Sequence, residues 1–426
     1  MNKEVRYLPI TDLLTEIIDN RGKSVPTVDS GFPLIATNCI KHSSIYPVFD
    51  KVRYVSEHTL KTWFRAHIKP NDILFVNKGT PGRVCLVPNP VTFCVAQDMM
   101  AFRSDPEKIN YKYLFAVLRS NEIQKKIENN HVGLVIPHFR KQELSSLLIP
   151  IKSKQEQKAI GDLYISLSEK IELNNKINQE LEAMAKTLYD YWFVQFDFPT
   201  PPSSTSGIVG KPYKSSGGKM VYNEELKREI PEGWEVKALK NILYTINDSI
   251  EPHQFSDLKY LPIDKLPSKQ LYYQDYSERA NANSSLIKFN EDDILLGAMR
   301  VYFHRVCNAI EDGISRSTIM VLRAINPSHK NYGLFTLSTN EAIDYANKNS
   351  TGTSIPYAKW DNGLSNFKVV LPREKLIEEF NKQIEPILNQ FKILSRQNQQ
   401  LSSLRDWLLP MLMNGQVASR ASATAE

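Results

Sequence analysis

The chain has 426 residues, 42% of them hydrophobic and 23% charged; this is more than one ordinary domain and excludes a disordered chain. A formal net charge of +6 permits a polyanionic partner without demanding one. Cys39, Cys85, Cys94 and Cys307 form no CxxC pair and sit among apolar neighbours, so free buried thiols in a reducing, cytoplasmic setting are expected rather than disulfides or zinc. No apolar run approaches the roughly 18 residues of a membrane span, and Met1–Arg6 carries no apolar signal stretch.

Residues 1–150 are rich in short β-type runs such as Ile73–Val76, and Tyr113–Ile127 reads as an amphipathic helix, so a mixed α/β globule is expected. It ends at Pro150, and a long helical pattern follows over 151–198. There Ile160, Leu163, Leu167, Ile171, Ile177, Leu181, Met184 and Leu188 follow three- and four-residue steps. Residues 199–229, with the Pro/Gly/Ser-rich stretches Pro199–Gly207 and Lys214–Lys219, read as a linker. A second α/β globule is expected over 230–372, with Ser317–Leu322 as one of its strands. A second helix follows over 373–415, stepping through Ile377, Phe380, Ile384, Ile387, Phe391, Leu394, Leu401, Leu404 and Leu408, and 416–426 should be a frayed tail. Stepping sustained this long favours a coiled coil. Asn178 and Asn398 fall on or beside the two seams; each either fixes register from within the seam or lies on the solvated edge of its helix.

The second half echoes the first. Asp72-Ile73-Leu74 recurs as Asp293-Ile294-Leu295, Arg83-Val84-Cys85 as Arg305-Val306-Cys307, and Ile136-Pro137 as Ile355-Pro356. These pairs share their order, and their offsets all fall between 219 and 222. A period this long means two related domain-plus-helix units rather than a solenoid.

Motifs for chemistry are missing. There is no GxxxxGK[ST] loop, no GxGxxG opening a helix, no HExxH, and no Asn-Pro-Pro-aromatic tetrapeptide to hold a flipped adenine. Asn89-Pro90-Val91-Thr92 and Asn326-Pro327-Ser328-His329 do not fit that last pattern. Asp72 and Asp293 each open an apolar strand and read as turn residues rather than catalytic acids.

Two loop constellations recur in both halves. Asn77–Arg83 offers Lys78, Thr80 and Arg83 beside glycines that let backbone approach a groove, with the cations suited to phosphates or guanine edges. Its counterpart Gly297–Arg305 carries Arg300, Tyr302, His304 and Arg305. The second constellation is His131–Lys141, with His138, Arg140 and Lys141, matched by Thr351–Trp360, with Tyr357 and Lys359. The bland alternatives are a solvated hairpin for the first and an aromatic side chain packed on the globule for the second.

Glu156-Gln157-Lys158-Ala159-Ile160 opens the first helix soon after Leu148-Ile149-Pro150, and Tyr191-Trp192-Phe193-Val194-Gln195-Phe196 closes it. Pro231-Glu232-Gly233-Trp234-Glu235 opens the second globule, and Leu404-Arg405-Asp406-Trp407-Leu408-Leu409-Pro410 lies near the end of the second helix. These motifs resemble the specificity subunits of type I restriction-modification systems, although the second helix lacks the Glu-Gln pair at its start. The resemblance implies two target recognition domains, each binding half of a bipartite double-stranded DNA site. It also implies an antiparallel helix pair between them and a pseudo-twofold axis. Two modification (methyltransferase) subunits would bring S-adenosylmethionine, and restriction subunits would bring ATP and Mg; the chain itself would bind no cofactor or metal and catalyse nothing. Tyr191, Trp192, Phe193 and Trp407 exceed what a two-helix coil can bury, so they are candidates either for docking those subunits or for capping the coil against the globules. A fused restriction–methylation enzyme and a non-DNA scaffold are the alternative readings.

Overall fold

The computed structural model describes residues 6–20, 22–130, 137–200, 209–251, 257–278, 286–352 and 354–413. The chain divides into two compact units, Met1–Leu173 with Gln400–Glu426, and Asn174–Gln399.

Unit 1 is built on a four-stranded antiparallel sheet in the order Leu14–Asp19, Met99–Ser104, Ile73–Val76, Val84–Leu86. Ile73–Val76 is buried at every position, because both sheet faces are covered, and so its sequence is a continuous apolar run rather than an alternation. Ile73 and Phe75 face a core with Phe102, Tyr113 and Phe115. Leu74 and Val76 face another with Ile35, Cys85 and Phe93. A three-stranded sheet of Arg53–Val55, Phe32–Ile35 and Cys94–Val95 lies beyond. Arg6–Pro9 pairs antiparallel with Leu148–Ile151, which ties the ends of the globule together.

The expected helix over Tyr113–Ile127 is two helices, Tyr111–Leu118 and Asn121–Asn130. Ser120 turns its hydroxyl back to the Val117 carbonyl at 2.7 Å, and the Arg119 guanidinium is spent on the carbonyls of Lys41, His42 and Ser44. The first helix is buried from Tyr113 to Leu118, so it lacks the polar face that an amphipathic pattern presumes.

Unit 2 repeats this plan. Its sheet runs Leu243–Ile246, Ile319–Ala324, Ile294–Gly297, Val306–Asn308, all antiparallel, and Ile294 pairs with Leu322 as Ile73 pairs with Phe102. Glu235–Ala238 and Lys368–Leu371 tie its ends, and a broken helix pair, Lys330–Leu337 and Asn340–Lys348, follows. The Tyr113 hydroxyl donates to the Pro150 carbonyl at 2.8 Å, and Tyr332 donates to Val370 at the same distance. Asp72 and Asp293 are turn acids in both units. Each accepts a backbone N–H three residues upstream at 2.7 Å and grips an arginine with both oxygens, Arg103 at 3.0 and 2.8 Å and Arg323 at 2.7 and 2.8 Å.

The long helices are Lys154–Tyr189, continued by a π-helical turn over Asp190–Val194, and Glu374–Met413. In unit 1 Gly161 lets the first helix approach the backbone of Lys112 and Tyr113, where a Cβ would meet Tyr113 N at 2.7 Å. The same helix carries Tyr164 against Arg405 of the second. In unit 2 the two helices run antiparallel: Asn174 meets Asn398 at 2.8 Å, while Tyr189 meets Phe380 at a ring distance of 6.2 Å. Asn398 also donates to Asn175 at 2.7 Å and so stands inside the seam, and Asn178 is buried beside Tyr272; neither lies on a solvated edge.

The segment read as a linker is partly folded. Tyr213 stacks on Phe198 at 4.6 Å, Gly218 leaves room for that ring, and Met220–Asn223 forms a hairpin with Arg228–Pro231. The Tyr213 ring and the Ser215 bonds to the Asp197 carboxylate, at 2.7 and 2.6 Å, pin the stretch. Residues 201–208 and the tail beyond Met413 lie outside the described residues.

Candidate nucleic-acid interface

The two loop constellations, distant in sequence, are joined by the same backbone ladder in each unit. In unit 1 Gly79 N–H donates to the Pro137 carbonyl at 2.9 Å and Phe139 N–H to Asn77 at 2.8 Å. In unit 2 Arg300 N–H donates to Pro356 at 2.7 Å and Ala358 N–H to Ala298 at 2.9 Å. The hairpin tip between the sheet's last two strands is thereby stapled to the segment that leads into the long helix. Residues 77–83 and 137–142 carry Lys78, Arg83, Arg140 and Lys141 with no carboxylate, and 298–305 with 354–360 carry Arg300, Arg305 and Lys359 with none. Two cation-bearing, acid-free loop pairs at matching places suit a phosphate-lined partner.

Both tips turn through the left-handed region but differ in length and chemistry. Positive φ falls at Gly79 and Gly82 in unit 1 and at Arg300 and His304 in unit 2. Glycine adopts that geometry freely, whereas Arg and His do so under strain.

The individual candidates separate into three groups. Lys78, Thr80, Arg140, Lys141, Arg300, Tyr302 and Lys359 are exposed. Arg83, Arg305, His138 and Tyr357 are half-buried and partnered. Arg83 points to the Ile40 carbonyl at 3.5 Å and Arg305 donates to Ile263 at 2.6 Å. His138 meets Asn77 at 3.4 Å, and the Tyr357 hydroxyl, its pKa raised by burial, donates to the Ser317 carbonyl. His304 stands apart and is a correction. It is 7% exposed, and its Nε2 meets the Ser338 carbonyl at 2.8 Å. Burial lowers its pKa and favours the neutral ring. Ser338 is the C-cap of the helix before the break, and in unit 1 Gln124 reaches the carbonyl of Leu118, the last residue of the matching helix, at 2.6 Å. His304 is thus a structural strap, not a free contact. Gln124 had no sequence signal, because its second partner, the Gly82 carbonyl at 2.9 Å, is brought to it only by the tertiary fold. His131–Ile136 and Thr353 of the second constellation lie outside the described residues.

The aromatic candidates also divide. Trp192 and Phe193 are 5% and 4% exposed, packed in unit 2 with Tyr189, Trp234, Tyr332 and Phe380, so the capping alternative holds for them. The π turn over Asp190–Val194 aims both rings inward. Tyr191 is half-buried, and Trp407 of unit 1 is 56% exposed with Leu404 beside it on the helix face. Among the described residues no group of His, Cys, Asp and Glu could hold a metal ion, and no helix is long and apolar enough to cross a membrane.

The structure is thus a doubled α/β unit with long helices and exposed cations at stapled hairpin tips. Residues 22–183 match the family described as type I restriction modification DNA specificity domain. The chain is 24% identical over 380 residues to the type I restriction enzyme MjaIX specificity subunit of Methanocaldococcus jannaschii, covering 86% of this chain and 82% of that one. It is 24% identical over 413 residues to the HindI specificity subunit of Haemophilus influenzae, covering 82% and 87%. In fold it is similar to the type I restriction-modification S subunit from M. genitalium, with a TM-score of 0.56 at 16% identity over 96% of both chains. In sequence and in fold the chain is similar to the specificity subunits of type I restriction-modification systems. Such subunits are the non-catalytic components of their systems.

Proposed function

We propose that each unit reads one half of a bipartite double-stranded DNA target through its stapled loop pair. The observation that carries this reading is the recurrence of one backbone ladder, with acid-free cationic tips, at matching positions of both units. Lys78, Arg140 and Lys141 in unit 1, and Arg300, Tyr302 and Lys359 in unit 2, are the side chains free to reach DNA. Arg83, Arg305, His138 and Tyr357 shape the tips. The long helices act as the spacer between half-sites. Two modification subunits dock on the chain, with Trp407 among the contacts, and supply S-adenosylmethionine; restriction subunits supply ATP and Mg chemistry. The chain alone neither methylates nor cuts.

The test is methylation by the chain with and without its modification subunit, read by sequencing methylated adenines. Methylation is expected only with both. Arg300→Ala should either relax one base of one half-site, at about 1–3 kcal/mol, or weaken all sequences alike and flatten the salt slope. The other half-site should not change. Methyl transfer by the chain alone, or no effect from Arg300→Ala and Lys78→Ala together, overturns the reading.

A further inference from the structure

The hairpin tip of unit 2 presents two large rings to solvent where unit 1 presents Thr80-Pro81 between glycines. Tyr302 and Phe303 are 49% and 42% exposed and lie 4.9 Å apart, and Ile355 of the stapled segment is 48% exposed. Rings on a loose loop would fold back onto apolar surface; these are held out. Arg300 and His304 bracket them in the left-handed region, at φ 52° and 54°. The His304 ring is strapped to Ser338, its carbonyl accepts from Lys269 N–H at 2.7 Å, and the Phe303 carbonyl accepts from the Ser268 hydroxyl at 2.6 Å. Arg305 lies over the Phe303 ring at 5.3 Å and ties itself to Ile263. The loop is therefore pinned on both sides of an apolar tip, with exposed Arg300 and Lys359 beside it. Cations flanking a rigid apolar point match a duplex: the charges meet phosphates, and the point meets the stacked bases between them.

We propose that Tyr302, Phe303 and Ile355 form a wedge that enters a groove and partly unstacks one base step, so that unit 2 reads part of its half-site through the ease of deforming that step. The proposal rests on the DNA-reading function given above and adds a mechanism to it. The tip of unit 1, residues 77–83, has no such rings, so the two half-sites are read differently: by close backbone approach at the exposed Gly79, and by insertion at Tyr302 and Phe303. Pyrimidine–purine steps, which unstack most readily, are the favoured target of the wedge.

The experiment uses the full chain assembled with its modification subunits and the duplex that this complex methylates, with 2-aminopurine placed at successive positions of both half-sites. The wild-type complex should brighten 2-aminopurine at one step of the unit 2 half-site and at none in the other. Tyr302→Ala with Phe303→Ala should abolish the signal and weaken binding about ten- to a hundredfold, the scale of one lost base stack. Its salt slope should not change, since no phosphate contact is lost. Tyr302→Leu with Phe303→Leu, which keeps an apolar point, should retain part of both effects. Equal thermal midpoints for all variants show that the fold is intact. Unchanged affinity and brightening in the double alanine variant overturn the wedge but leave DNA reading standing, as does the absence of any bright step with wild type. Loss of subunit assembly with unaltered DNA affinity would mean that the rings dock protein, which also overturns it. Failure of the wild-type complex to bind its own methylated sequence would remove the DNA-reading function itself.

Discussion

Trp192 and Trp407 have opposite environments, and substituting each with alanine should give opposite results. Trp192 is 5% exposed, with ring contacts to Phe380 at 5.7 Å and Phe193 at 6.2 Å. An indole buries about 200 Å², which at about 25 cal/mol per Å² is roughly 5 kcal/mol, less the part an alanine still covers. The surrounding rings cannot collapse onto the gap, since each is fixed by its own helix or strand. Trp192→Ala should therefore cost about 4 kcal/mol, within the usual range for a buried aromatic truncation. For a unit of this size that lowers the thermal midpoint by about 8–16 °C. Trp407 is 56% exposed, so Trp407→Ala should change stability by no more than about 0.5 kcal/mol. As a docking side chain it should instead weaken assembly with modification subunits by about tenfold or more. Urea unfolding followed by fluorescence and circular dichroism gives the stabilities, and size-exclusion chromatography with titrated modification subunit gives assembly. A cost below about 1 kcal/mol for Trp192→Ala, at an unchanged m-value, refutes the packing argument. Unchanged assembly with Trp407→Ala refutes the docking role.

Asp293→Asn should destabilise its unit by about 1–3 kcal/mol, because Arg323 loses the carboxylate that it grips, and Asp72→Asn by less, because Arg103 also pairs with Glu16; calorimetry on the single variants checks this. All four cysteines are buried, and burial pushes the Cys85 and Cys94 thiols up to about 12, so a thiol reagent at pH 8 should label none of them until denaturant is added. Glu374, in the first turn of the second long helix, accepts from Ser328, His329 and Asn326, and these bonds hold its pKa below the usual glutamate value of 4.5. Its contribution to stability is complete above that value and is lost as pH falls through the lowered folded pKa. The carboxylate is largely solvated, so the loss stays under about 1 kcal/mol, and Glu374→Gln should remove it from the acid limb of a pH–stability curve.

Much of the architecture is written in local pattern. The offsets of 219 to 222 announce two copies, because the runs at Asp72 and Arg83 lead into the same strands of the unit 1 sheet as those at Asp293 and Arg305 do in unit 2. The three- and four-residue steps announce the long helices, because helical periodicity is a property of consecutive residues. Asp72 and Asp293 read correctly as turn acids, and the apolar company of the cysteines announced their burial. The site was legible only as two separate constellations in each half.

What tertiary structure alone decided is which distant groups meet. The ladder joining 77–79 to 137–139, and 298–300 to 356–358, is a pairing across about sixty residues that no local period encodes. Trp192 and Phe193 carried the same apolar signal as Trp407, yet rings from Trp234, Tyr332 and Phe380 cover the first two and leave the third exposed. His304 sits among DNA candidates in sequence, but the end of a helix more than thirty residues away offers it an unmet carbonyl. The helix pair was read as one because the break at Arg119-Ser120 depends on carbonyls at 41–44 that the pattern of 113–127 does not contain. Composition and period set which segments must be buried or helical; burial of a particular side chain is a property of the surface that folds over it, and that surface comes from elsewhere in the chain.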